Sequence, residues 1–131
     1  MIALDTNVLL RYLMQDDPVQ SGLSNEVIEG LTPENRAFVS REVLVELFWV
    51  LERTFRLPRL GIASALKVVA DLDIWLVEDP DRFFSAIAEY EQGGAGFADQ
   101  MIRLAGRAAG CDRLVTFDRE LARQPGVTLL G

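Results

Sequence analysis

Four acidic residues stand out by their positions relative to the apolar segments of the chain. Asp5 follows the apolar run 2–4, and Asp118 follows "RLVTF", so each comes where a predicted strand ends. Glu46 lies inside "VLVELFWVL", the most apolar helical segment, and Asp99 lies in the first turn of a predicted helix. Ligands of open parallel sheets bind outside the carboxyl ends of the strands. We therefore expect these four carboxylates to meet at one end of a sheet.

A cluster of carboxylates predicts a divalent cation. Two negative charges about 5 Å apart repel by roughly 3 kcal/mol at an effective dielectric constant of 20, so four of them require protons or a cation. The chain has no histidine and a single cysteine, Cys111. This excludes Ser-His-Asp and Cys-His catalysis and zinc held by histidine or thiolates. Oxygen ligands suit Mg²⁺ or Mn²⁺, which can activate water against a phosphodiester.

Each acid also has a local interpretation. Asp5 and Asp118 are good residues for capping a helix, and Asp118 could simply cap "RELAR". Asp99 is favoured near a helix N-terminus by the helix dipole. For Glu46 we expect a position at the edge of the buried face of its helix or well inside it, where a carboxylate requires pairing or a metal.

Three short polar residues lie beside these acids. They either orient the carboxylates and bound water or act as further caps, and both interpretations stay open. The three residues are Thr6, Asn7 and Thr116.

The apolar periodicity predicts five strands that alternate with helices. The predicted strands are residues 2–4, 36–39, 74–77, 114–117 and 127–130. The predicted helices are 7–14, 18–30, 41–55, 60–72, 80–92 and 97–109, with Leu23, Val27 and Ile28 facing inward in the second and Met101, Ile102 and Ala105 forming the apolar face of the last. This alternation is typical of an α/β fold with a parallel sheet between helices.

Composition limits the protein class. The 131 residues predict one domain, residues 1–131. The net charge of −7, from 20 acids and 13 bases, does not suit a general nucleic-acid coat but leaves room for a local basic patch. No apolar run reaches the roughly 18 residues that span a bilayer, and the first residues lead us to expect no signal peptide. Together with the single cysteine, this predicts a cytoplasmic protein without membrane contact.

Three segments resemble a known family. "ALDTNVLLRYL" resembles the opening of PIN-domain ribonucleases, and "VLVELFWVLERTFRL" resembles the helix that carries a Glu in that family. "FADQMIRLAGRAAGCDRLVTFDRELARQPGVTLL" resembles the C-terminal third of VapC-type toxins of toxin–antitoxin pairs. The order and spacing of the three segments agree along nearly the whole chain.

The resemblance implies a three-layer α/β/α sandwich around a parallel sheet of about five strands. It implies an endoribonuclease that requires Mg²⁺ or Mn²⁺, cleaves tRNA or rRNA, forms a homodimer and is inhibited by a cognate antitoxin. The acids that it carries over as catalytic and metal-binding residues are Asp5, Glu46, Asp99 and Asp118. One departure is Gly96 in "GAGFADQ", where many relatives have an additional Asp.

Contacts with RNA are less specific in the sequence. Arg53, Arg56 and Arg119 are candidates for binding RNA phosphates, and a solvated arginine face is the alternative. Several aromatic residues could stack on bases, although their apolar surroundings favour core, dimer or antitoxin contacts. They are Phe48, Trp49, Phe55 and Trp75.

Two other functions fit parts of the pattern. An aspartate-nucleophile phosphatase would use Asp5, but Asn7 stands where that class has a second acid and no catalytic lysine is evident. A binding module that kept the fold and lost the chemistry would account for Gly96.

Overall fold

The computed structural model describes residues 1–131, which divide into two compact units, residues 1–79 and 80–131. Unit 1 contains β1 (Ile2–Ala3), α1 (Thr6–Met14), α2 (Pro18–Glu29), β2 (Ala37–Val39), α3 (Arg41–Arg53), α4 (Arg59–Asp71) and β3 (Trp75–Val77). Unit 2 contains α5 (Pro80–Glu91), α6 (Phe97–Ala108), β4 (Leu114–Thr116), a short 3₁₀ helix (Leu121–Arg123) and β5 (Val127–Leu129). The predicted elements are all present, with ends shifted by a residue or two.

Unit 1 is built on a parallel three-stranded sheet in the order β1-β2-β3. β2 is central, and its Ala37 and Val39 are fully buried. β1 pairs on one side only, and Ile2 is 44% exposed, although an apolar run such as residues 2–4 is typical of a buried strand. Burial begins at Leu4, whose N–H donates to the Phe38 carbonyl. A strand at the edge of a sheet is covered by one neighbouring strand only, so its side chains are less buried than those of the central strand.

The buried face of α2 also differs from the prediction. Leu23 and Val27 are 60% and 43% exposed, whereas Ile28 is buried as expected. The helix instead packs through Ser21 and Ser24, and the Ser21 hydroxyl donates to the Arg11 carbonyl of α1 at 3.1 Å. Small side chains let the two helices approach closely, so Leu23 and Val27 remain on the outer side of α2.

Unit 2 pairs two helices with two strands. α5 packs on α6, and the rings of Phe83 and Phe97 meet edge to face at 5.9 Å in its core. β4 and β5 form a separate parallel pair, with Leu114 opposite Val127. Ile102, which was predicted to lie on the apolar face of α6, is 54% exposed, because Gln100 and Arg103 occupy buried positions on that helix.

The predicted α/β class with parallel strands is confirmed. The predicted single sheet of about five strands is corrected, because the five strands form one sheet of three and one of two. No helix is both long and apolar enough to cross a membrane.

Candidate active site

Asp118 lies close enough to Asp99 in unit 2 for its charge to affect the pKa of Asp99. Asp99 occupies the first turn of α6, and Asp118 comes two residues after the carboxyl end of β4. Burial raises the pKa of Asp99 above its ordinary value of 3.8, and the neighbouring charge of Asp118 raises it further. The fold therefore brings together two of the four predicted acids, which are nineteen positions apart in the sequence.

Gly96 is the N-cap of the helix that carries Asp99. Its backbone is extended (φ −68°, ψ 164°), and it has no side chain to cap α6. The Gly96 N–H instead donates to the Asp99 carboxylate, which lowers the pKa of Asp99 against the two larger effects. An acid at this helical position that binds the N-cap N–H is half of a capping box. The local interpretation of Asp99 thus holds together with its contact with Asp118.

Asp118 combines a local cap with a free oxygen. Its Oδ1 accepts from the N–H groups of Glu120 and Leu121, at 2.8 and 3.1 Å. Its own N–H donates to the Thr116 hydroxyl at 3.0 Å, so Thr116 fixes the backbone of Asp118 rather than its carboxylate. The predicted capping role is therefore real for one oxygen, and Oδ2 remains available for a ligand.

Asp5 occupies a similar position in unit 1. It directly follows Leu4, the last residue that bonds to β2, and it is the N-cap of α1. Its Oδ1 accepts from the N–H of Thr6 at 2.8 Å, and the carboxylate is exposed. Thr6 is buried, whereas Asn7 is exposed and lines a small cleft with residues of α1 and α2. Of the three short polar residues, Thr6 binds the Asp5 carboxylate, through its backbone N–H.

Glu46 is exposed, so the expectation that it lies at the edge of the buried face or inside it was wrong. The buried residues of α3 are Leu44, Leu47, Phe48 and Leu51. At 100° per residue, Glu46 lies on roughly the opposite side of the helix from this stripe. It shares its outer face with Trp49 and Arg53, where the guanidinium lies 3.9 Å from the centre of the ring.

The other residues predicted to contact RNA differ in their exposure. Arg56 and Arg119 are exposed, as is Arg53. Phe48 and Trp75 are each 4% exposed and belong to the core, Phe55 is half-buried, and Trp49 is 41% exposed.

Two features escaped the sequence prediction. Phe117, which is 80% exposed, directly precedes Asp118 in the sequence and presents an aromatic ring to solvent. Its position between the end of β4 and Asp118 was the feature of the sequence that could have predicted its exposure. Glu78 follows β3, and its Oε1 accepts from the Arg41 N–H at the start of α3 at 3.0 Å. That carboxylate stabilises a helix N-terminus.

The donor set of unit 2 fits a hard cation. Within either unit, no group of three or more His, Cys, Asp or Glu side chains lies close enough together to hold a metal ion. Mg²⁺, however, is commonly bound by one or two carboxylates and completed by water and substrate phosphates. Asp99 and Asp118 provide such a pair, and a cation would relieve the repulsion that raises the pKa of Asp99.

The sequence matches the PIN domain over residues 2–127. The chain belongs to the PIN-domain family. One similar protein is the VapC ribonuclease of Aquifex aeolicus, which is 24% identical over 92% of this chain and 89% of its own length. Another is ribonuclease VapC23 of Mycobacterium tuberculosis, which is 29% identical over 93% of this chain and 96% of its own.

One solved structure is also similar to this chain. It is VapC20 of Mycobacterium tuberculosis, described as a toxin that cleaves the sarcin–ricin loop. The match covers 97% of both chains at 17% identity with a TM-score of 0.47.

Proposed function

We propose that this PIN domain is an endoribonuclease and the toxin of a toxin–antitoxin pair. The observation that carries the proposal is the pair of Asp99 and Asp118, which the fold brings together at the cost of mutual repulsion. Functional sites are where such perturbed carboxylates concentrate. The names of the relatives, VapC ribonucleases, supply the reaction class.

In this proposal, Asp99 and Asp118 would hold Mg²⁺ or Mn²⁺, and Asp5 and Glu46 are the further ligands that the family resemblance implies. When bound, the ion supplies a water of lowered pKa and stabilises the leaving oxygen. The residues of the chain supply position. The Thr116 hydroxyl fixes the backbone of Asp118, while the N–H groups of Glu120 and Leu121 fix the Asp118 carboxylate through Oδ1 and leave Oδ2 free. The Gly96 N–H orients Asp99 in the same way.

RNA binding is assigned to residues beside the acids. Phe117 offers an exposed ring on which a base can stack, and Arg119 offers an unburied guanidinium for a phosphate. Arg53 and Arg56 provide further guanidinium groups in unit 1. We further propose that the protein works in the cytoplasm as a homodimer and that a cognate antitoxin inhibits it.

The test is RNA cleavage by the purified protein in Mn²⁺ and in EDTA, with sequencing of the cut ends of total RNA. We expect cleavage in Mn²⁺ only, and its loss in Asp99→Asn. Asp81→Asn is the matched control, because it removes the same charge from an exposed position in the same unit. Failure of the wild-type protein to cut RNA, together with no binding of Mn²⁺, would favour the binding module instead.

A further inference from the structure

A pocket of about 350 Å³ opens in unit 2 at the end of α6 remote from Asp99. Three arginines line it, Arg103, Arg107 and Arg113, together with the residues that lead into β4 and β5. Asp112 is the single acid in its lining. The pocket thus concentrates positive charge in a chain whose net charge is −7. We call it the arginine pocket.

Arg103 is the buried member, with 5% of its surface exposed. Its Nε donates to the Gln100 side-chain oxygen at 3.1 Å, and one terminal nitrogen donates to the Pro125 carbonyl at 3.4 Å. Its nearest carboxylate, Glu89, is 3.7 Å away and 44% exposed. A guanidinium has five N–H donors, and a buried charge requires close pairing. The positive charge of Arg103 is therefore only partly compensated by the protein.

Gln100, together with Arg103, makes this part of the interior polar. The residue is fully buried, and its Nε2 has no hydrogen-bond partner. Its side-chain oxygen is turned toward Arg103, so the amide supports the guanidinium at the expense of its own donor. This arrangement stabilises a buried cation rather than an apolar core.

Arg107 and Arg113 lie at the exposed rim of the arginine pocket. Neither side chain forms a hydrogen bond or an ion pair within the chain. Planar guanidinium groups bind phosphate oxygens in pairs of hydrogen bonds, more specifically than lysine does. Two free groups at the rim and one partly compensated group at the floor form a site for an anion.

We propose that the arginine pocket binds a phosphate group, carried either by a free nucleotide or by an RNA backbone. A volume of about 350 Å³ lies within the range of small-ligand sites. Arg107 follows Asp99 by eight residues on α6, which corresponds to roughly 12 Å along the helix axis. A phosphate bound in this pocket is therefore distinct from a phosphate bound at the acids.

Binding is measured in EDTA, so that no cleavage occurs. The probes are inorganic phosphate and AMP, followed by calorimetry, and a short fluorescein-labelled single-stranded RNA, followed by anisotropy. Arg107→Gln and Arg113→Gln should each weaken binding about fivefold, because each removes a charge-assisted hydrogen bond at a partly exposed site. Arg123→Gln is the matched control, since Arg123 lies in the same unit outside the pocket.

Each outcome decides the question. If the two rim variants lose binding of AMP and phosphate but keep binding of RNA, the ligand is a free nucleotide. If they lose binding of RNA but keep binding of AMP and phosphate, the ligand is the RNA backbone. If no probe binds, or if the two rim variants weaken binding no more than Arg123→Gln, the inference is overturned. Thermal melting of each variant checks folding. Because the assay requires neither metal nor cleavage, its result is independent of the proposed ribonuclease activity.

Discussion

Asp118→Asn should raise the free energy of unfolding at neutral pH by about 0.5–1 kcal/mol. The substitution removes the like charge beside Asp99. It keeps the local cap, because the amide oxygen of Asn can accept from the N–H groups of Glu120 and Leu121 as the carboxylate does. The pKa of Asp99 should fall in this variant but stay above its ordinary value, since burial is the larger cause.

The magnitude follows from the exposure of the pair. Two unit charges about 6 Å apart repel by about 3 kcal/mol at an effective dielectric constant of 20 and by about 0.7 kcal/mol in water. Asp118 is exposed and Asp99 is only half-buried, so solvent screens most of the repulsion. The expected effect is therefore near the lower of these two values.

The pH dependence has a definite sign. Folding raises the pKa of Asp99, so between 3.8 and its folded value the native state binds more protons than the unfolded state. Stability from this group is highest below that window and falls as pH rises through it. Asp99→Asn should remove that fall and leave the other groups unchanged.

The assay is a double-mutant cycle of Asp99→Asn and Asp118→Asn by urea unfolding at neutral pH. Either single substitution already removes the repulsion between the two charges. The free energy of unfolding should therefore rise less in the double variant than the sum of the changes in the two single variants. Asp112→Asn is the control partner and should show additivity with Asp99→Asn. Additivity within error for Asp99 and Asp118 would refute the claim that they interact.

Three further outcomes are expected. Gly96→Asp should strengthen Mn²⁺ binding measured by calorimetry, because its extended backbone accepts a side chain and the change adds a carboxylate beside Asp99; unchanged affinity would show that residue 96 lies outside the metal site. Phe117→Ala should weaken RNA binding by about 1–3 kcal/mol in anisotropy measurements and leave the melting temperature unchanged, since the ring is 80% exposed; a lowered melting temperature with normal RNA affinity would contradict this role. Glu78→Gln should destabilise the fold by about 0.5–1 kcal/mol in urea unfolding, because a negative charge at the start of α3 is lost. An unchanged free energy of unfolding would show that the Glu78 charge does not stabilise α3.

Local chemistry made the helices and strands predictable. Pro18 begins α2 and Ser40 caps α3, with its hydroxyl accepting from the Val43 N–H at 3.2 Å. Apolar runs separated by such signals fixed the order of the elements. The sequence could also place Asp5 and Asp118 at strand ends, because the ends of short strands follow directly from the apolar pattern.

Packing was less predictable, since it depends on partners that are distant in the sequence. The apolar residues of α2 suggested that Leu23 and Val27 face inward, but close approach to α1 favours Ser21 and Ser24. The density of apolar residues around Glu46 suggested burial, although its place on the helix face points it outward. The buried pair of Gln100 and Arg103 had no signal, because both residues are ordinarily exposed.

The most direct test of the proposed site is Mn²⁺ calorimetry on the wild-type protein and on four variants, Asp5→Asn, Glu46→Gln, Asp99→Asn and Asp118→Asn. If all four acids hold the ion, each variant should weaken Mn²⁺ binding about tenfold or more, and Asp112→Asn should match the wild type. Wild-type affinity in Asp5→Asn and Glu46→Gln would show that the acids of unit 1 take no part in binding the metal.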